Sequence, residues 1–248
     1  MSTEPNMMRG MFRWATLLAL LGGTVATAGM ALYSNFGSAL LTPGDNGVSR
    51  LFVGEAERMG RAGEPDRALA LYEEAFRAGF GYPPDKSRAL TLKGMVLWRM
   101  GRVKETADAL SEAASGSAPN FDGAQALVEA LLHLKRMDEA QSVVRRWREA
   151  MGDKASPQIR ADMLYSTGRI AQERGDLGAA KAAYEESAAT VPGSLAEYLC
   201  GILCAEAGNV TEARQHLERF LVGGASGDEA ARARASYRSL GSNSDGSK

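Results

Sequence analysis

One spacing of residues recurs along the chain and restricts its fold more than any other feature. In GDLGAAKAAYEESAATVP, residues 175–192, a glycine turn precedes a helix that carries Ala180 and Tyr184 on one face and ends at Pro192. The same pattern follows other positions, so that five turn residues align: Gly63, Gly101, Lys135, Gly175 and Gly208. Their separations of 38, 34, 40 and 33 residues bracket the period of about 34 that is typical of a helix-turn-helix repeat.

A second position supports the repeat. Seven residues before each turn residue stands a residue that is small in most copies: Ala56, Gly94, Val128, Gly168 and Gly201. A small side chain there permits a close contact between two helices. Because a single helical hairpin cannot bury its apolar face, the hairpins are expected to stack into one continuous core. The predicted fold class is therefore all-α, built as an α-solenoid.

These residues resemble the tetratricopeptide repeat family over roughly residues 48–225. A related class of all-helical repeat is the alternative. Departures from the family pattern are Lys135 at a turn glycine, Trp147 at a normally small position, and longer connections after Phe76 and Ala150, which are expected to change the local pitch. The resemblance implies about five TPR-like repeats at 49–225. A capping helix is predicted at 226–240 and a disordered tail at 241–248.

The N-terminal segment has the length and apolar character of a membrane span. No charged residue lies between Arg13 and Asp45, and a helix over residues 14–33, WATLLALLGGTVATAGMALY, would be about 30 Å long. Arg9 and Arg13 precede it, so the positive-inside rule predicts a single-pass inner-membrane protein with residues 1–13 in the cytoplasm. The repeats, after a linker at 34–48, are then periplasmic. A signal peptide cleaved near residues 26–28 is the alternative, and its product would be periplasmic or secreted.

Small residues recur at every fourth position of the same segment. Ala15, Ala19, Gly23, Thr27 and Ala31 form a stripe of the kind that lets membrane helices approach closely. A homo-oligomer formed through this stripe is one prediction, and an alanine-rich span without a helical partner is the other interpretation.

Composition and motifs argue against nucleic-acid binding and catalysis. The net charge of −1 and the pI of about 6.2 give no electrostatic case for nucleic-acid binding. No Walker loop, GxSxG, HExxH or Rossmann glycine turn occurs. His133 and His216 are expected at the surface or in a groove, and Cys200 and Cys204 as small buried residues without metal ligands at suitable spacing nearby. No enzymatic activity, cofactor or metal site is predicted.

The family resemblance also implies a concave groove lined by the first helix of each hairpin. Groove-facing residues of the family stand at fixed offsets from the small residue, which here selects Val53, Glu57, Thr91, Met95, Trp98, Gln125, Glu129, Tyr165, Arg169, Tyr198 and Ile202. The set contains aromatic residues and an arginine, the types enriched at binding hot spots. Packing between repeats is the alternative role for each of them.

The expected function is a membrane-tethered scaffold that binds a peptide or protein partner in this groove and supports assembly of an envelope complex. The paired Asn and Lys pattern with which some family members clamp a C-terminal carboxylate is not apparent, which argues against a receptor for chaperone tails. A self-associating structural protein of the membrane is the alternative function.

Overall fold

The computed structural model describes residues 46–242, and within this range the chain forms eleven α-helices and no strand. The helices are α1 (Asn46–Arg61), α2 (Pro65–Ala78), α3 (Pro83–Arg99), α4 (Val103–Ser115), α5 (Ala124–His133), α6 (Met137–Met151), α7 (Pro157–Glu173), α8 (Leu177–Thr190), α9 (Leu195–Glu206), α10 (Val210–Val222) and α11 (Gly227–Ser242). A short 3₁₀ helix at Gly152–Lys154 follows α6.

The helices pack as hairpins, and the hairpins stack in chain order. The pairs α1/α2, α3/α4, α5/α6, α7/α8 and α9/α10 form hairpins 1 to 5, and the second helix of each packs against the first helix of the next. The first helices α1, α3, α5 and α7 also contact one another in sequence, so they form one continuous layer. The prediction of an all-helical repeat solenoid is confirmed.

All five turns between paired helices share one backbone geometry. The turn residues have φ values of 80, 71, 59, 81 and 80° at positions 63, 101, 135, 175 and 208, and Lys135 is the one non-glycine residue with positive φ within 46–242. In each turn the following amide donates to a carbonyl five residues earlier, for example Arg136 N to Leu131 O at 2.8 Å and Asp176 N to Ala171 O at 3.0 Å. These bonds satisfy carbonyls at the helix end, as in a Schellman motif.

In three hairpins, the glycine at the small position of the first helix lies against a large side chain of the second helix: Gly94 against Leu110, Gly168 against Tyr184 and Gly201 against Leu217. A Cβ atom added to Gly168 would stand 2.6 Å from Cδ1 of Tyr184, and one added to Gly201 would stand 2.7 Å from Cγ of Leu217. Tyr184 and Leu217 are fully buried. The missing Cβ therefore permits the close approach of the paired helices, as the sequence pattern predicted.

Hairpin 3 contains two of the departures from the repeat pattern, Lys135 and Trp147, and still packs into the core. Trp147 is buried with Phe121 and Met163, so it fills space between neighbouring hairpins. The longer connection after Ala150 forms the 3₁₀ helix and ends in buried Ala155.

The ends of the described range differ slightly from the predicted boundaries. Helix α1 begins at Asn46, inside the predicted linker, and its Ser49 is already fully buried. Helix α11 continues to Ser242, and its Ala233 and Leu240 pack on Leu217 and Phe220 of α10. The helical region is thus three residues longer at its N-terminal end and two residues longer at its C-terminal end than predicted.

The described helices are too short or too polar to cross a lipid bilayer. The predicted span at 14–33, most of the linker and the tail from 243 onwards lie outside the described residues.

Gly168→Ala tests the contact between paired helices. Overpacking against the buried Tyr184 ring costs about 1–3 kcal/mol, while the better helix propensity of alanine returns up to about 1 kcal/mol. We expect a net loss of about 1–2 kcal/mol in the free energy of unfolding, measured by denaturant titration. Gly178→Ala is the control, because this exposed helical glycine has only Asp176 Oδ1 at 3.7 Å from an added Cβ. Equal effects of the two substitutions would contradict the packing argument.

Lys135→Gly tests the strain in the turn of hairpin 3. A non-glycine residue in left-handed conformation costs about 1 kcal/mol or more, so glycine should stabilise the fold. The substitution also removes the exposed 3.0 Å ion pair with Glu173, a small effect. Lys135→Ala loses the same ion pair but keeps the strain. We expect the Gly variant to melt above the Ala variant in a thermal scan, and the reverse order would refute the strain.

Candidate functional site

The predicted groove residues lie on the layer of first helices, with different exposure. Nine side chains are half-buried, namely those of Glu57, Met95, Trp98, Gln125, Glu129, Tyr165, Arg169, Tyr198 and Ile202. Val53 and Thr91 are buried instead, and the Thr91 hydroxyl donates to Ser87 O at 3.0 Å within α3. These two residues therefore contribute to packing rather than to an open surface.

Glu129 of α5 and Arg169 of α7 form a bidentate ion pair between hairpins 3 and 4. Arg169 Nε donates to Glu129 Oε1 at 2.9 Å, and Nη2 donates to Oε2 at 3.1 Å. Their side chains are 16% and 21% exposed, so the pair is shielded from most solvent. Gln172 Oε1 accepts from Arg169 Nη1 at 3.3 Å and from Tyr184 Oη at 2.8 Å, which links the pair to the core.

The surroundings of this pair raise the pKa values of Tyr165 and Arg169. Burial raises the pKa of Tyr165, and the negative charge of Glu129 raises it further. Burial lowers the pKa of Arg169, but the hydrogen bond and the charge of Glu129 outweigh burial and raise the pKa overall. At neutral pH the site thus holds a neutral phenol and a balanced ion pair, which suits hydrogen bonding and apolar contact rather than proton transfer.

An aromatic contact extends the same surface to hairpin 2. The rings of Trp98 on α3 and His133 on α5 have centroids 6.1 Å apart at 53°. His133 follows Glu129 by four residues and Arg169 follows Tyr165 by four, so each pair shares a helix face. Trp98, His133, Glu129, Arg169 and Tyr165 therefore form a connected row across three first helices, here called the first-helix strip.

The other predicted aromatic residue packs differently. The Tyr198 ring lies 5.6 Å from that of Phe220 on α10, and Tyr198 and Ile202 pack against the cluster that includes Ala233 of α11. At the C-terminal end of the predicted groove, these two side chains thus take part in the core of hairpin 5 and α11.

His216 does not lie at the surface or in the groove, contrary to the sequence-based expectation. It is buried, with Nδ1 2.6 Å from Oε2 of the equally buried Glu197, whose Oε1 accepts from Arg219 Nε at 2.9 Å. A buried carboxylate needs such partners. Glu197 was not predicted as a site residue, because its partners are 19 and 22 residues away.

Both cysteines are free and buried, as predicted. Burial raises the pKa of the Cys200 thiol to about 12. Burial, followed by the hydrogen bond with Glu212, also raises the pKa of Cys204. The expectation that no further ligand stands near them was wrong, since Glu212 and His216 lie beside Cys204.

A solenoid of stacked helical hairpins with a strip of aromatic and charged side chains defines a repeat protein suited to binding. The chain belongs to the tetratricopeptide repeat family: the family model described as "Tetratricopeptide repeat" matches residues 54–124 and 165–230, more than half of the chain. Proteins of this family are generally scaffolds without enzymatic activity that bind peptide or protein partners. A comparison with curated proteins gave no match.

Solved structures share the architecture at low sequence identity. MamA from Desulfovibrio magneticus RS-1 is 18% identical with a TM-score of 0.56, covering 71% of this chain and 94% of its own. A thermophilic TPR protein of Thermus thermophilus is 19% identical with a TM-score of 0.57, covering 77% and 98%. YrrB, described as a TPR protein with an unusual peptide-binding site, is 21% identical with a TM-score of 0.51, covering 74% and 90%. These likenesses concern the fold.

Proposed function

We propose that the protein is a membrane-tethered scaffold that holds a peptide or protein segment on the first-helix strip. The observation that carries this proposal is the strip itself, in which Trp98, Tyr165 and Arg169 stand half-buried in one connected row. Aromatic and arginine side chains of this exposure are the usual anchors of protein interfaces.

The side chains of the strip are held in fixed positions, which supports recognition of a defined segment. The bidentate pair fixes Arg169, and the Tyr165 ring lies 6.0 Å from that of buried Tyr184. Side chains held in place before binding lose less conformational entropy when a partner arrives. Because the charges of Glu129 and Arg169 balance, the strip suits a partner with apolar side chains and free backbone hydrogen-bonding groups rather than a highly charged one.

The location of this activity rests on the N-terminal sequence. The apolar residues 14–33, preceded by Arg9 and Arg13, support an inner-membrane anchor with the repeats in the periplasm. A tethered repeat domain there has the properties of an assembly factor for an envelope complex. We keep self-association through the small-residue stripe as the second candidate, since that stripe would place two membrane helices in close contact.

Crosslinking in cells tests the strip. A photoreactive residue at Gln125, which is half-buried on α5, should capture a partner, whereas the same residue at exposed Gln141 on α6 should not. Trp98→Ala or Tyr165→Ala should reduce capture about 10-fold or more, as expected for hot spots worth about 2 kcal/mol. Mass spectrometry identifies the captured chain.

The matched control is Leu177→Ala, which removes an apolar side chain that is 51% exposed on α8. Circular dichroism confirms that each variant keeps its helices. Capture that persists in both strip variants, or that Leu177→Ala reduces equally, would count against the strip. Capture of only a second copy of this chain would favour self-association.

A reporter fusion tests the topology. A reporter that is active only outside the cytoplasm, fused after Lys248, should be active, because Arg9 and Arg13 resist translocation and keep the N-terminus inside. Deletion of residues 1–33 should abolish this activity, because it removes the apolar segment that enters the membrane. A mature chain that starts near Gly29 by mass measurement would replace the anchor with a cleaved signal peptide. Activity from a reporter that works only in the cytoplasm would exclude both.

A further inference from the structure

Hairpin 5 brings three different metal-binding side chains together. Cys204 of α9 and Glu212 and His216 of α10 each place one ligand atom within 4.8 Å of the other two. Cys204 and His216 are buried, while the Glu212 side chain is 37% exposed. The cluster therefore has two enclosed donors and one donor that reaches the surface.

A buried carboxylate orients the histidine of this cluster. Glu197 Oε2 lies 2.6 Å from His216 Nδ1, and Glu197 also accepts from Arg219 Nε. Arg219 Nη2 lies 2.8 Å from the same Nδ1 atom, so Glu197 and Arg219 together hold this edge of the ring. Metal binding through Nε2 requires the tautomer in which Nδ1 carries the proton and donates to Glu197. Histidine ligands of metals are commonly held in this way by a carboxylate on the other ring nitrogen.

We propose that Cys204, Glu212 and His216 bind a zinc ion, with Glu197 positioning His216. A thiolate, a carboxylate and an imidazole are the donors that zinc takes in proteins, and a water molecule would complete four-coordination. Zinc bond lengths of about 2.0–2.3 Å require donor atoms about 3.5 Å apart. Because all three donors already lie within 4.8 Å of one another, no pair has to close by more than about 1.3 Å. Glu212, the exposed member, has the freedom to make this movement.

Lys181 is the group that a metal ion must displace. Its Nζ lies 2.8 Å from Glu212 Oε1 and 3.5 Å from Glu185 Oε1. When zinc binds, the S–H bond of Cys204 breaks, the proton leaves to solvent, and a Zn–S bond forms. Lys181 keeps its proton and its second partner, Glu185, so its displacement leaves no isolated charge. The zinc ion would then join α9 to α10 within hairpin 5.

Cobalt titration of the untagged full-length chain tests the site, with Co²⁺ as a coloured substitute for Zn²⁺. We expect a thiolate-to-cobalt charge-transfer band at one equivalent, which Zn²⁺ abolishes by competition. Cys204→Ser should remove the band, and the matched control Cys200→Ser, one helical turn earlier on α9, should keep it. Glu212→Gln, which alters a partly exposed side chain, should weaken binding while the fold is retained by circular dichroism.

Two further variants separate binding from folding. Glu197→Gln should keep the band but weaken cobalt affinity about 10–100-fold, as expected for a residue that orients a ligand. Lys181→Gln should tighten binding, because the competing ammonium is gone. The absence of a charge-transfer band in the wild-type chain, or a band that survives in Cys204→Ser, would overturn the proposal. The groove-binding tests are unaffected by either result, since the cluster lies on hairpin 5.

Discussion

The solenoid depends on the close approach of two helices at a residue without a bulky side chain. Where Gly168 faces Tyr184 and Gly201 faces Leu217, the missing Cβ lets a large side chain lie against the backbone of the opposite helix. The left-handed turn then fixes the direction in which the second helix returns. Because the close helix contact and the left-handed turn recur in successive hairpins, the first helices form one layer. In this layer Trp98 lies beside His133 of the next hairpin. The surface proposed for binding is thus a consequence of the way the paired helices pack and turn.

Contacts at a constant sequence offset could be predicted, because they repeat with the hairpin. The turn residues, the small residues and the groove positions of the family together predict that Glu129 and Arg169 lie on the same layer. Their bidentate pairing could not be predicted, since it depends on the angle between two hairpins and on the side-chain conformations of both residues. The burial of His216 was also missed. Glu212 and His216 are four apart on one helix, which was the available signal, but the third ligand and Glu197 come from α9.

Hairpin 3 shows how far tertiary context can replace a local signal. The family model leaves residues 125–164 unmatched, and this stretch contains Lys135 and Trp147. The turn nevertheless keeps the backbone bond from Arg136 N to Leu131 O and a positive φ at Lys135. Apolar contacts of α5 and α6 with their neighbours are large enough to hold a strained residue in place, because such strain amounts to only about 1–2 kcal/mol. The repeat pattern of the sequence is therefore weakest in a hairpin that packs against a neighbour on each side, because these contacts can compensate for the strained turn residue.

The shielded carboxylate of Glu129 and the buried carboxylate of Glu197 have different structural roles because their partners lie on different elements. Glu129 pairs with Arg169 across hairpins 3 and 4. The turn residues of these two hairpins are 40 residues apart, the longest of the four separations between successive turns. A shielded ion pair adds little net stability, yet its geometry disfavours other registers, since sliding one hairpin leaves a charge without its partner. Glu197 instead joins two helices within hairpin 5. The first arrangement holds the relative position of α5 and α7, two of the three helices that carry the first-helix strip. The residues that fix the strip are thus also residues that a partner would contact.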